Sequence, residues 1–141
     1  MRKEALAVKK DEQVSSEKLA KRIAQLILDK KGEDVVVLDI REHSAYADFI
    51  IIASARSARH VQGLADHIEE ELYKEQISPL GVEGKAEGQW VLMDYGDVIV
   101  HLFFEPVREW YDLEGLWMDA PRVDLESWGL SFQAEEEDVE D

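Results

Sequence analysis

Asp48-Phe-Ile-Ile-Ile-Ala53 is among the longest apolar runs of the chain, and Ser57-Ala-Arg-His60 follows it after a short junction. A β-branched run of this kind predicts a strand that is covered on both faces. Ser57 is a suitable N-cap for a helix that ends before Pro79. The apolar stripe of this helix is formed by Val61, Leu64, Ala65, Ile68 and Leu72. A strand followed directly by a helix is typical of α/β domains.

The residues before this unit predict one more helix and one more strand. Residues 1–14 are polar and aperiodic, which predicts a flexible basic segment. Ser15 or Ser16 is expected to cap a helix that ends at Gly32. Its apolar residues repeat at helical spacing: Leu19, Ile23, Leu26 and Ile27. Val35-Val-Val-Leu38 then predicts a second strand covered on both faces.

The residues after Pro79 predict a β-hairpin. Leu80-Gly-Val-Glu-Gly84 is interpreted as a short strand, and two longer apolar runs flank the turn Asp94-Tyr-Gly-Asp97. If Tyr95 and Gly96 are the two loop residues, Trp90 faces His101 and Asp94 lies opposite Asp97. Because two adjacent carboxylates repel, either the turn is longer or these acids have another role.

The C-terminal part is expected to add a short helix and a tail. Pro106 suits the first position of a helix that carries Trp110, Leu113 and Trp117, and Pro121 marks its end. Residues 15–121 are therefore predicted to form a single α/β domain. Residues 122–141 are predicted to be an acidic tail, disordered at its end. The expected weak docking of this tail involves Val123, Leu125, Trp128 and Leu130.

The charge of the chain is large and uneven. The 141 residues carry a formal net charge of −16, whereas residues 1–31 contain nine Lys or Arg and five Asp or Glu, or +4, which leaves −20 for the remainder. An acidic body is repelled by nucleic-acid phosphates, so direct nucleic-acid binding is not expected and a basic protein partner is favoured. The same charge is also consistent with solubility alone.

Composition narrows the remaining classes of protein. An apolar fraction of 45% predicts one packed core, and the absence of cysteine excludes disulfides and zinc–thiolate sites. No apolar run is long enough to span a bilayer, so membrane insertion is not expected. The N-terminus lacks the features of a targeting signal, which predicts a cytoplasmic protein.

The polar residues form no recognisable catalytic or metal-binding motif. The histidines lack metal-ligand spacing, and Ser54 and Ser57 lack a nucleophile elbow. No metal and no cofactor are therefore expected. One enzymatic alternative stays open, a metal-dependent site like that of a nucleotidyltransferase, which needs several carboxylates. The candidates for it are Asp39, Asp48, Asp94 and Asp97.

Residues 90–117 contain three of the four tryptophans and several other aromatic residues. The valines and leucines of this segment are expected in the core. Tryptophan and tyrosine are amphipathic and frequently anchor protein interfaces, which makes Trp90, Tyr111 and Trp117 candidate contacts. His101 lies between apolar neighbours, where a hydrogen-bonded core role is the more usual one. The complete set of candidate partner-binding residues is Trp90, Asp94, Asp97, His101, Phe103, Tyr111 and Trp117.

Several sequence blocks follow one another in a specific order. They are Ala47-Asp-Phe-Ile-Ile-Ile-Ala-Ser54, Ser57-Ala-Arg-His60, Glu83-Gly84, Trp90-Val-Leu-Met-Asp94, Gly96-Asp-Val-Ile-Val-His-Leu-Phe103, Arg108 and Tyr111-Asp-Leu-Glu-Gly-Leu-Trp117. Through these blocks, residues from about Leu19 to Val123 resemble the ribosomal silencing factor family, also called the Iojap-like family. Two departures are small: His60 stands where the family often has Gln, and Trp110 where a smaller aromatic residue is common.

The resemblance implies a mixed β-sheet flanked by α-helices, similar to a nucleotidyltransferase fold without its catalytic residues. It also implies binding to the fourteenth ribosomal protein of the large subunit, which blocks joining of the small subunit and lowers translation when nutrients are scarce. The expected mechanism is steric: Trp90, Tyr111 and Trp117 anchor in the basic partner, while Asp94, Asp97 and the acids near Tyr111 meet its Lys and Arg. A homodimer is compatible with this interpretation. The alternatives are a nucleotidyltransferase-like enzyme and an acidic adaptor for another basic protein.

Overall fold

A five-stranded β-sheet forms the centre of the fold in a computed structural model, which describes the backbone of residues 2–130 and the side chains of residues 16–130. The elements in chain order are α1 (Arg2–Asp29), β1 (Glu33–Asp39), β2 (Phe49–Ala55), α2 (Ala58–Tyr73), β3 (Gly81–Glu83), β4 (Trp90–Asp94), β5 (Val98–Phe104), α3 (Glu105–Tyr111), α4 (Leu113–Leu116) and a 3₁₀ helix (Leu125–Trp128). The strand order is β1-β2-β5-β4-β3. Only β2 and β5 pair in parallel, so the sheet is mixed, as the family resemblance implied.

The two faces of the sheet are covered by different helices. On the first face, α1 and α2 pack over alternate strand residues such as Phe49, Ile51 and Val100 to form the larger apolar cluster. On the second face, α3, α4 and the residues up to Ala120 pack over Ile52 and the neighbouring positions to form a smaller cluster. Every residue of β2 is buried, because this strand lies inside the sheet and is covered on both faces.

Helix α2 follows the sequence prediction closely. The Oγ atom of Ser57 accepts a hydrogen bond from the backbone N–H of His60 at 3.0 Å, which caps the helix. The buried residues of α2 are Val61, Leu64, Ala65, Ile68 and Leu72, the same stripe that the periodicity predicts.

Helix α1 begins earlier than its predicted cap. It extends from Arg2, so Ser15 and Ser16 lie inside the helix and the predicted cap is wrong. Ser16 is buried and donates a hydrogen bond to Oδ2 of Asp48 at 2.8 Å, which fixes α1 to the start of β2. The flexibility predicted for residues 1–14 is not tested and stays a prediction.

The hairpin between β4 and β5 differs from the predicted register. Trp90 pairs with Phe103 and Asp94 pairs with Ile99, so the two carboxylates of the turn are not opposite each other. The backbone N–H of Tyr95 donates to the carbonyl of Val98 at 3.0 Å, which leaves Gly96 and Asp97 as the loop residues. Gly96 has a φ of +87°, a conformation that glycine adopts without steric cost and that favours this turn over the predicted one.

The predicted helix after β5 is divided into two. Pro106 lies in the first turn of α3, as expected, but Asp112 adopts a left-handed conformation that separates α3 from α4. Trp110 and Trp117 therefore do not share one helix face.

The segment after Pro121 packs closely on the sheet. Val123 donates to the carbonyl of Val37 at 2.8 Å, Trp128 packs edge-on against Phe49, and Leu130 is buried. The described part of the predicted tail is thus held by the core. The disorder predicted for its end falls on residues 131–141, outside the described residues.

Candidate protein-binding surface

Four of the predicted partner-binding residues form one aromatic cluster on the second face of the sheet. Strand alternation and the β4–β5 pairing place Trp90, His101 and Phe103 on the same face, and α3 brings Tyr111 to them. The ring centroid of Trp90 lies 4.6 Å from that of Tyr111 and 5.0 Å from that of Phe103. These distances are within the range in which aromatic pairs stabilise each other beyond simple burial.

A hydrogen bond fixes the orientation of Trp90 in this cluster. Its indole Nε1–H donates to Nδ1 of His101 at 3.0 Å. Because indole N–H is only a donor, Nδ1 of His101 is the acceptor and the proton of the neutral imidazole is on Nε2. Burial lowers the pKa of His101 from 6.5 to about 4, so the ring is neutral at physiological pH. His101 thus orients Trp90 from within the core, the role that its apolar sequence neighbours favour.

The members of the cluster differ in their access to a partner. Tyr111 is 54% exposed and its chain neighbour Trp110 is 82% exposed, while Trp90, which packs against Tyr111, is half-buried. Phe103 is completely buried, so the prediction that it contacts a partner directly is corrected. Because α3 and α4 cover the sheet at this point, Phe103 supports Trp90 by stacking.

Trp117 belongs to a neighbouring group. It packs partly buried against the second apolar cluster, and its ring centroid lies 6.5 Å from that of Tyr46 in the loop between β1 and β2. Tyr46, Leu116 and Met118 are all highly exposed here, and none of them is among the predicted contacts. Leu116 and Met118 flank Trp117 in sequence, a signal that was available, whereas only the fold brings Tyr46 close.

The predicted acidic contacts do not lie together. Asp94 is on the same sheet face as Trp90 but four residues along β4, roughly 13 Å away for extended chain, and its Oδ1 accepts from the Gly96 backbone at 2.8 Å. Asp97 lies in the turn and lines a cleft with residues of α1, remote from the aromatic cluster. The acids closest in sequence to Trp110, Tyr111 and Trp117 are in α3, α4 and their flanks: Glu105, Glu109, Asp112, Glu114 and Asp119.

The carboxylates considered for metal chemistry have structural contacts instead. Asp39 forms a 2.6 Å ion pair with Arg41, and this hydrogen-bonded pairing lowers the pKa of Asp39. Asp48 accepts the hydroxyl of Ser16. Among the side chains that the structure describes, no group of three His, Cys, Asp or Glu is placed to hold a metal ion. Within the same part of the chain, no helix is long and apolar enough to cross a membrane.

Comparison with known proteins gives consistent matches. Residues 13–141 match the sequence profile of a family described as "Ribosomal silencing factor during starvation". The "Ribosomal silencing factor RsfS" of Halalkalibacterium halodurans is 38% identical over 113 residues, which cover 80% of this chain and 97% of that protein. The crystal structure of a Chromobacterium violaceum protein is similar with a TM-score of 0.70 at 35% identity, covering 72% of this chain and 84% of that one.

A more distant relative carries a more specific name. The mouse protein "Mitochondrial assembly of ribosomal large subunit protein 1" is 29% identical over 99 residues, which cover 67% of this chain and 43% of that protein.

Proposed function

Because the chain belongs to the ribosomal silencing factor family, and is thus a regulatory protein and not an enzyme, we propose that it binds the large ribosomal subunit in the cytoplasm. The contact is with a basic ribosomal protein, the fourteenth of that subunit, on the face where the subunits meet. Binding there blocks joining of the small subunit and lowers translation when nutrients are limiting. The name of the mouse relative, which refers to the large subunit, supports this choice of subunit.

The observation that carries the proposal is a set of aromatic side chains on the second face of the sheet, here called the aromatic surface: Trp90 with Tyr111, Trp117 with Tyr46, and the exposed Trp110 of α3. Large aromatic side chains at the centre of an interface provide most of its binding free energy, while the surrounding contacts exclude water. Trp110 and Tyr111 are mostly exposed in this structure, and Trp90 supports Tyr111 from the sheet. An exposed group of this kind is typical of a protein-binding site.

The charge of the chain supports a basic partner. The net charge of −16 attracts a basic ribosomal protein and is repelled by the ribosomal RNA around it. Such complementarity mainly raises the association rate and selects the orientation of binding, whereas affinity depends on the buried anchors. We assign specificity to the acids of residues 105–119 and affinity to the aromatic surface.

The test is sedimentation of the tagged protein with large subunits on a sucrose gradient. The most informative variants are Trp110→Ala and Tyr111→Ala, because these side chains are exposed and their removal leaves the core packed. Loss of one true anchor costs about 2 kcal/mol or more of binding free energy, or roughly thirtyfold in affinity. Tyr73→Ala is the matched control, since Tyr73 is equally exposed but lies on α2, which covers the opposite face of the sheet.

A second measurement tests whether the protein blocks joining of the small subunit. Added protein should reduce the fraction of joined ribosomes formed from purified subunits, and the Trp110→Ala/Tyr111→Ala double variant should not. The proposal fails if the wild-type protein is absent from the large-subunit fraction, or if it binds there without reducing joined ribosomes. Binding to a different basic protein in a pull-down would instead support an adaptor.

A further inference from the structure

Arg108 links four elements of the fold through one side chain. Its Nη1 donates to Oγ of Ser54 at 2.8 Å and to the backbone carbonyl of Asp34 at 2.7 Å. Its Nε and Nη2 donate to the two carboxylate oxygens of Glu114 at 3.2 and 2.9 Å. The guanidinium therefore joins α3 to β1, β2 and α4 at once, and the Arg108 side chain is only 12% exposed.

Apart from Arg108, the helices α3 and α4 are held on the sheet, within the described residues, only by partly buried apolar contacts. Helix α3 has seven residues and α4 has four, and neither contains a buried residue. Isolated helices of this length are not stable in water. They are joined at Asp112, whose φ of 46° and ψ of 52° lie in the left-handed region, which aspartate tolerates as a single residue but which interrupts the helix. Val107 and Leu113 contribute partly buried contacts to the second apolar cluster.

We propose that Arg108 is a positioning residue that holds α3 and α4 on the sheet, so that Trp110, Tyr111 and Trp117 form one binding surface. Arg108 itself is mostly buried and its donors are directed at residues of its own chain. It acts on the partner only through the helices it holds. The binding part of this inference rests on the proposed function.

The chemistry of the contact requires arginine specifically. The planar guanidinium offers a pair of parallel donors to the carboxylate of Glu114 and still has a donor for Ser54, which is buried. The hydrogen bond from Arg108 lowers the pKa of Glu114, so this carboxylate is charged at neutral pH and the pair is complete. A lysine at this position supplies the charge but not the fork of donors.

The test combines hydrogen exchange with large-subunit binding. In Arg108→Ala, the amides of Asp112, Gly115 and Trp117, which are hydrogen-bonded within α3 and α4, should exchange roughly tenfold faster or more, as expected for loss of charge-assisted hydrogen bonds. The amides of α2 should be unchanged, which makes them an internal reference. Affinity for large subunits should fall by a similar factor. Arg108→Lys should give an intermediate result in both measurements.

Two further variants keep the inference falsifiable. Arg56→Ala is the matched control, since it removes an exposed arginine whose ion pair with Glu33, at 2.7 Å, lies at the same end of the sheet. It should alter neither measurement. Ser54→Ala removes a single acceptor of Arg108 and should raise the exchange of the same amides to a smaller extent, even if Arg108→Ala does not fold.

The outcomes separate this inference from the proposed function. Unchanged exchange at Asp112, Gly115 and Trp117 in Arg108→Ala or Ser54→Ala would overturn the positioning role. Equal acceleration across α2 would also overturn it, because the effect would then be global unfolding. If the wild-type protein does not bind large subunits, the proposed function fails, while the exchange data still decide whether Arg108 holds the helices.

Discussion

Lowering the pH from 7 to 5 should destabilise the protein through His101. Burial lowers the pKa of His101 from 6.5 to about 4 in the folded state, whereas the unfolded chain retains the ordinary value. Between these two values the unfolded state binds a proton that the folded state does not. The free energy of unfolding must therefore fall as the pH is lowered through 6.5 and continue to fall towards 4.

The size of this effect follows from the two pKa values. At pH 5, His101 is almost fully protonated in the unfolded state and mostly neutral in the folded state. This difference lowers the free energy of unfolding by about 2 kcal/mol relative to pH 7. The assay is urea unfolding at pH 5, 6 and 7 for the wild type and for His101→Asn. Asparagine does not titrate, and its Oδ1 can accept the indole N–H of Trp90 in place of Nδ1.

The difference in unfolding free energy between wild type and His101→Asn should change by about 2 kcal/mol across this pH range. The exposed His43 and the other histidines remain in both proteins, so their contributions cancel in the difference. A constant difference would refute the reasoning, because it would mean that His101 is protonated equally in the folded and unfolded states.

Four substitutions test the fold by equilibrium unfolding in urea, and Gly63→Ala among them is the control for Gly88→Ala. Ser57→Ala should lower the free energy of unfolding by about 1 kcal/mol, because the α2 cap is lost. A change near zero would contradict the capping role. Gly88→Ala should lower the free energy of unfolding by about 2 kcal/mol or more, because φ is +71° and the new Cβ would lie 2.6 Å from the Ala58 carbonyl oxygen. Gly63→Ala should leave the free energy of unfolding unchanged or raise it, because the space around Gly63 in α2 is open. Leu130→Ala should cost about 3 kcal/mol if the segment after Pro121 is part of the core, and less than 1 kcal/mol if it is weakly docked.

The central elements of the fold were predictable because their sequences permit one interpretation. The apolar run of β2 has no polar alternation, so it suits only a strand covered on both faces, which is its observed environment. The stripe of α2 repeats at helical spacing directly after a capping serine. In such segments, local preference and burial favour the same structure.

The register of the hairpin was not predictable from the apolar pattern. Pairing Trp90 with His101 or with Phe103 leaves every side chain of β4 and β5 on the same face, since the two registers differ by two residues. Burial therefore does not distinguish them. The conformation of the turn does, because Gly96 as the first loop residue can take the positive φ that this hairpin uses.

The exposure of the candidate surface, like the register of the hairpin, does not follow from the apolar pattern of the sequence. Aromatic density pointed to the segment that carries the exposed Trp110 and Tyr111, but exposure depends on where α3 and α4 lie, and the break at Asp112 has no strong signal in sequence. Aspartate tolerates the left-handed conformation without requiring it. The prediction therefore included Phe103, which these helices cover, and omitted Tyr46, which reaches Trp117 from a distant loop.

Within residues 104–120, polar contacts hold the helices in place and aromatic side chains form the proposed binding surface. The aromatic residues of the sheet itself offer a partner only limited contact, since Trp90 is half-buried and Phe103 is covered. The exposed Trp110 and Tyr111 are instead carried by α3, a short helix that buries no residue of its own. Because α3 and α4 bury little apolar surface, the pairing of Arg108 with Glu114 determines the fraction of molecules in which the aromatic surface is assembled. A partner binds only the assembled form, and affinity falls in proportion to its population.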